Sequence, residues 1–124
     1  MIVSSAKAYY TIAWALKTPF VFLMDRRYVL LPALEAYETY VKQLAHLHYI
    51  TDFFDCNAFA WVMKALAYQD KINSFGFVIG WAKWAKQLHA WNCVLTQTGV
   101  FQAEPQQGRM FEKDKNYRPL LVIF

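Results

Sequence analysis

A chain of 124 residues holds one ordinary domain and leaves no room for two. With 57% hydrophobic and 19% aromatic residues against 18% charged, it is too apolar to stay disordered and rich enough to fill a core. The net charge of +4, with no run of five or six like charges, is only mildly basic and does not make a nucleic-acid footprint.

Residues 1–8 carry no basic stretch followed by an apolar run and a small-residue cleavage site, so no secretory signal is read. The longest apolar runs, such as residues 20–24, fall far short of the roughly 18 residues a membrane-spanning helix needs. The expected location is the cytoplasm, with Cys56 and Cys93 as free thiols; counting alone leaves a single disulfide between them open.

Ser4 or Ser5 can cap a first helix that runs to about Lys17, with Tyr9, Ile12, Ala13 and Leu16 on one face. Pro19 stops it. Residues 20–24 and 28–31 are β-prone runs around the polar turn Asp25-Arg26-Arg27, which predicts a hairpin with a solvated turn. Pro32 suits the first turn of a second helix reaching about Leu47, with Leu34, Tyr37, Val41 and Leu44 in one stripe. Residues 52–55 break that pattern, and a central helix follows over about 56–68. Its stripe of Cys56, Phe59, Ala60, Met63, Leu66 and Ala67 puts Cys56 at the end of the buried face.

After Asn73 the period changes to that of strands, over residues 75–82, 88–96 and 100–104, with a turn at Gln97-Thr98-Gly99. Gly108, Asp114 and Asn116 mark a loop. Residues 120–124 read as a last, fully buried strand. Helices first and strands later predict an α+β fold on an antiparallel sheet, in one domain over residues 1–124.

Three short stretches carry candidate chemistry. Asp55 is a reasonable N-cap that places Cys56 in the first helical turn, where unpaired N–H groups and the helix dipole favour a thiolate. His89 lies later, on the strand face of Trp91 and Cys93, and Glu104 ends the next strand. The hairpin brings Glu104 opposite Trp91 or Asn92. Only the first leaves it on the histidine's face, and a slip of one residue reverses the answer.

The order Asp-Cys-x-x-Phe-Ala, His-Ala-Trp-Asn and Glu-Pro-Gln resembles the papain-like cysteine protease domain of the Marasmius oreades agglutinin and related small phage-encoded lectin-protease-like proteins. The resemblance covers roughly residues 28–110. It implies a minimal papain-like domain, with N-terminal helices and a Cys-led central helix packed on a small antiparallel sheet. It further implies a cysteine peptidase or amidase acting on a peptide or protein, with Cys56 as nucleophile, His89 as base and Glu104 orienting the histidine. Asp55, Asn92 and Gln106 would be supporting polar positions. The resemblance implies calcium as cofactor, but Asn57 stands where family members carry an acidic residue, and the expectation for this chain is no cofactor.

The alternative is a protein of a phage or mobile element that keeps the papain-like scaffold and binds and inhibits a host protein without catalysis, acting in the host cytoplasm. The aromatic excess and Asn57 favour it. A third reading takes Trp81, Lys83, Trp84 and Lys86 as an interleaved aromatic and basic segment for nucleic acid; the spacing equally suits a strand end, and no nucleic-acid partner is expected. His46 and His48, two apart without further ligands, predict no metal site. Oligomeric state is not read from the chain.

Overall fold

The structure, a computed structural model, describes residues 1–50 and 55–124. Strand β1 (Ile2–Ser4) leads directly into helix α1 (Ser5–Leu16), and Ser4 caps that helix by accepting from the Lys7 N–H at 3.3 Å. Lys17 ends it in the left-handed region, at φ 55. Strands β2 (Val21–Phe22) and β3 (Arg27–Val29) follow, then a short helix α2 (Ala33–Ala36). The chain continues as a π turn (Tyr37–Val41) and a 3-10 turn (Lys42–His46). Helix α3 (Cys56–Gln69) precedes strands β4 (Phe75–Ala82), β5 (His89–Thr96), β6 (Gly99–Glu104), β7 (Arg109–Phe111) and β8 (Tyr117–Ile123).

Six strands form one sheet in the order β2-β8-β4-β5-β6-β7, and β1 pairs with β3 in a second, two-stranded sheet. The larger sheet is mixed, because β2 runs parallel to β8 with Val21 opposite Val122. Alternation along each strand feeds two packed layers. One face meets α1 through Ile12, Leu16, Val78, Trp91, Cys93 and Phe124; the other meets α2 and α3 through Ala36, Met63, Ala67, Phe75 and Val94. Strand β5 is central and buried along its whole length. No helix among the described residues is long and apolar enough to cross a membrane.

Several sequence expectations are corrected here. The hairpin expected over residues 20–31 does not form: its two strands go to different sheets, because each finds a longer-range partner. Asp25 is not a solvated turn residue, since its carboxylate accepts from Tyr68 Oη at 3.0 Å and Asn73 Nδ2 at 2.9 Å. The second helix is broken into α, π and 3-10 turns, which bring Tyr40, Val41 and Leu44 inward on an irregular path. The expected loop after Gly108 contains β7. The last strand is only partly buried, yet it lies inside the sheet between β2 and β4. Most of the break expected over residues 52–55 lies outside the described residues.

Lys64 is the odd member of the α3 core face, only 5% exposed. Its ammonium donates to the Phe75 carbonyl at 3.0 Å and lies 4.6 Å from the Tyr68 ring centre. Burial pulls its pKa down to about 8, despite the opposing influence of Cys93 and Asp25. Between about pH 8 and 10.5 the unfolded chain holds a proton here that the folded chain has released, so stability rises with pH across that window. Below it, the charged amine costs the fold on the order of 3 kcal/mol. Lys64→Met should therefore be at least as stable as the parent at pH 7 and lose the gain between pH 8 and 10. Urea melts of both proteins at the two pH values check this, and equal pH slopes would refute it.

Candidate functional site

The first turn of α3 places Cys56 where helix N–H groups are unpaired, at the end of the stripe that packs Ala60 on Phe77 and Ala90. The start of β5 supplies His89, and the end of β6 supplies Glu104. Asn92 pairs with Ala103, and carrying that register one step further sets Glu104 opposite Trp91, on the histidine's face. The geometry follows: His89 Nε2 lies 2.5 Å from Glu104 Oε1, with His89 5% and Glu104 1% exposed. With Nε2 engaged, Nδ1 is the ring nitrogen left to face the thiol, and Cys56 and His89 each shift the other's titration.

Burial alone would push the Cys56 thiol up and the His89 imidazole down. The contacts win in both. Hydrogen bonds from His89 and the Ala90 N–H, with the imidazolium charge, hold the Cys56 thiol below its ordinary value, while the charge of Asp55 opposes them. Hydrogen bonds to Cys56 and Glu104 raise His89 to about 9. The arrangement favours an imidazolium beside a thiolate, a soft and accessible nucleophile. Cys93 is different: it is fully buried, burial pushes its thiol far up, and both cysteines are free.

The supporting residues divide. Asp55 occupies the N-cap position, but its side chain makes no capping hydrogen bond. Asn92 does not reach the site: it is fully buried and its amide donates to Ala60 O at 2.9 Å and Gly76 O at 3.0 Å, tying α3 to the sheet. Gln106 does reach it. Together with Tyr49, Cys56, Trp84, His89 and Gln107 it lines an open groove of about 390 Å³. Gln106 Oε1 is buried there without a hydrogen-bond partner among the described residues. Tyr49 and Trp84 are each 53% exposed, and Trp84 meets the His89 ring edge to face at 4.6 Å between centres.

Sequence reasoning passed over Tyr49 and Gln107, and weighed Trp84 only as part of a strand end or of a disfavoured nucleic-acid segment. Trp81, its supposed companion, instead pairs with Arg118 on β8. Nothing in the chain marks these residues as neighbours of Cys56, because a loop and two distant turns deliver them. Among the described residues no group of three or more His, Cys, Asp or Glu side chains could hold a metal. Calcium asks for six or more oxygen ligands, and the described start of α3 offers Asp55 and Asn57 as side-chain oxygen donors.

The groove thus joins two half-exposed rings, a buried amide oxygen and a polar floor, features common to ligand-binding clefts. The chain belongs to the ricin-type β-trefoil lectin C-terminal domain family, whose model matches residues 8–124. Among solved structures it is similar to Polyporus squamosus lectin bound to the human-type influenza-binding epitope Neu5Acα2-6Galβ1-4GlcNAc, with a TM-score of 0.80 and 21% identity. That likeness covers 99% of this chain and 49% of the lectin chain. A second structure, described as a PSL1a–E64 complex, gives a TM-score of 0.79 at 20% identity, covering 99% and 50%. The chain thus spans about half the length of the lectin chains it matches. Among curated proteins no sequence matches.

These findings overturn the papain-like expectation. The matching family and the matching fold are those of a lectin, in place of a papain-like cysteine protease domain on a small antiparallel sheet. The cysteine peptidase or amidase function, and the peptide or protein substrate with it, fall for the same reason. The physical cause is that three short motifs report a local meeting of thiol, imidazole and carboxylate. Such a meeting defines neither the fold around it nor the work the domain does.

Proposed function

We propose that this chain is a carbohydrate-binding module of lectin type, with its ligand seated in the groove between Tyr49 and Trp84. A sugar ring has an apolar C–H face and a rim of hydroxyls. The first suits a half-exposed aromatic ring, and the second suits amides and charged groups that both donate and accept. The observation that carries the reading is the pairing of two half-exposed rings with Gln106 Oε1, a buried acceptor that has no partner among the described residues. Such an atom costs free energy until a ligand hydroxyl meets it. Cys56, His89 and Glu104 form the floor, with Cys56 as an activated thiol. The lectin family and the glycan bound by Polyporus squamosus lectin support the ligand class. Of the earlier alternative, a host-protein inhibitor, only binding without catalysis is kept.

Titration with Neu5Acα2-6Galβ1-4GlcNAc, followed by tryptophan fluorescence and calorimetry, tests the reading. Saturable binding is expected, weakened about tenfold or more by Trp84→Ala, the cost of losing one aromatic anchor. Failure to bind this or any glycan of a broad panel, or binding indifferent to Trp84→Ala, would overturn it.

A further inference from the structure

The relay at the groove floor has an unfinished end. Glu104 is 1% exposed, and while Oε1 meets His89, Oε2 is buried with no hydrogen-bond partner among the described residues. A carboxylate with one buried, unpartnered oxygen is free to turn toward any donor. Tyr117, at the start of β8, packs on Trp91, the residue that faces Glu104 across the β5–β6 pair. Its ring is 7% exposed and is held by Trp91 at 5.2 Å, Trp84 at 6.3 Å and Phe111 at 4.8 Å between centres. Four rings packed this way leave the phenol little freedom to rotate.

We propose that Tyr117 is a positioning residue for the thiol centre: its hydroxyl donates to Glu104 Oε2 and holds the carboxylate in the orientation that meets His89. The chain of contacts then runs from Tyr117 through Glu104 and His89 to Cys56. Burial raises the Tyr117 pKa, and the charge and hydrogen-bonding of Glu104 raise it further, as expected of a phenol that faces a carboxylate; Arg109 and Trp84 pull the other way. A phenol that keeps its proton remains a donor throughout the neutral range. The remaining charged neighbours are few. Arg109 lies 5.8 Å from the Tyr117 ring centre and is itself paired with Asp114, and Asp55 is the charge that opposes the Cys56 thiolate. The inference does not rest on the ligand proposed above, since thiol reactivity reads it without any glycan.

The test is the alkylation rate of Cys56 by iodoacetamide against pH, located by peptide mass spectrometry, in the full chain and in Tyr117→Phe. Phenylalanine keeps the ring packing and removes only the donor. The half-reactive pH should rise by about one unit, a fall of up to about tenfold in rate at pH 6.5. The downfield proton resonance of the His89–Glu104 hydrogen bond should move with it. In a Glu104→Gln background the same tyrosine change should shift nothing further, because its effect passes through the carboxylate. A folded Tyr117→Phe protein with the parent's pH profile and the parent's imidazole resonance overturns the proposal, as does an additive effect on Glu104→Gln. Should the variant fail to fold, the parent still decides. The Tyr117 hydroxyl proton is expected to be protected from exchange with water, and a rapidly exchanging hydroxyl rules the proposal out.

Discussion

His89→Ala is expected to cut the alkylation rate of Cys56 at pH 7 by roughly 10- to 100-fold. Burial drives the thiol up, and what brings it below its ordinary value is the hydrogen bond and charge of His89 together with the Ala90 N–H. Without the imidazole, burial and the Asp55 charge outweigh the Ala90 N–H that remains, so the thiol titrates at or above its ordinary 9.0. About one thiol in a hundred is then ionised at pH 7. The parent should show a plateau of high reactivity that begins below pH 9, where the thiol ionises beside imidazolium. A further change should come near pH 9, where His89 releases its proton. The variant should show one ordinary rise, centred at 9 or higher. Equal rates in the two proteins at pH 7 would mean that the imidazole does not activate the thiol.

The second large effect is structural. Gly80→Ala should destabilise the fold by about 3 kcal/mol. Gly80 sits where the β4–β8 register shifts. A Cβ there would run into the Arg118 carbonyl oxygen, and would lie 2.8 Å from the Trp91 ring and 2.9 Å from Pro119 Cα. Two of those three are backbone atoms of the paired strand, which cannot turn aside as a side chain can. Gly76 is the useful comparison. Its Cβ would meet the Phe124 ring at 2.5 Å and Cys93 Sγ at 2.9 Å, both side chains that can shift. Urea denaturation should rank the two substitutions with Gly80→Ala the more damaging, and a loss below 1 kcal/mol at Gly80 would contradict the close approach. Because Gly80 pairs with His89 across the sheet, the same substitution should also disturb the thiol centre.

How much of this was readable from the chain differs by element. Local rules placed the Ser4 cap, the turn before Gly99 and the start of α3 at Cys56, because capping and helical periodicity act within a few residues. The same rules misplaced residues 20–31. A β-prone pair around a polar turn makes a hairpin only when no better partner exists, and here β1 and β8 take the two strands. They also missed the irregular turns after Ala36, where packing of Tyr40 against Phe75 at 5.1 Å overrides a regular stripe.

The thiol centre divides along the same line. Residue type and order named Cys56, His89 and Glu104, and the helix start made the first of them a thiolate candidate. Whether Glu104 lay on the histidine's face was a matter of register. Register is set by the buried β5–β6 pair as a whole, and only the paired strands decide it. The groove lay further out of reach: Tyr49, Trp84 and Gln107 come from separate turns, and their exposure depends on every element packed beneath them. The motifs also pointed to the wrong family, since a local side-chain triangle can be built on more than one scaffold. Composition and periodicity thus determined which segments would be helix or strand and which side chains could do chemistry, because those depend on near neighbours. Strand partners, the lectin fold and the walls of the groove were decided by tertiary structure, because each depends on contacts between residues far apart in the chain.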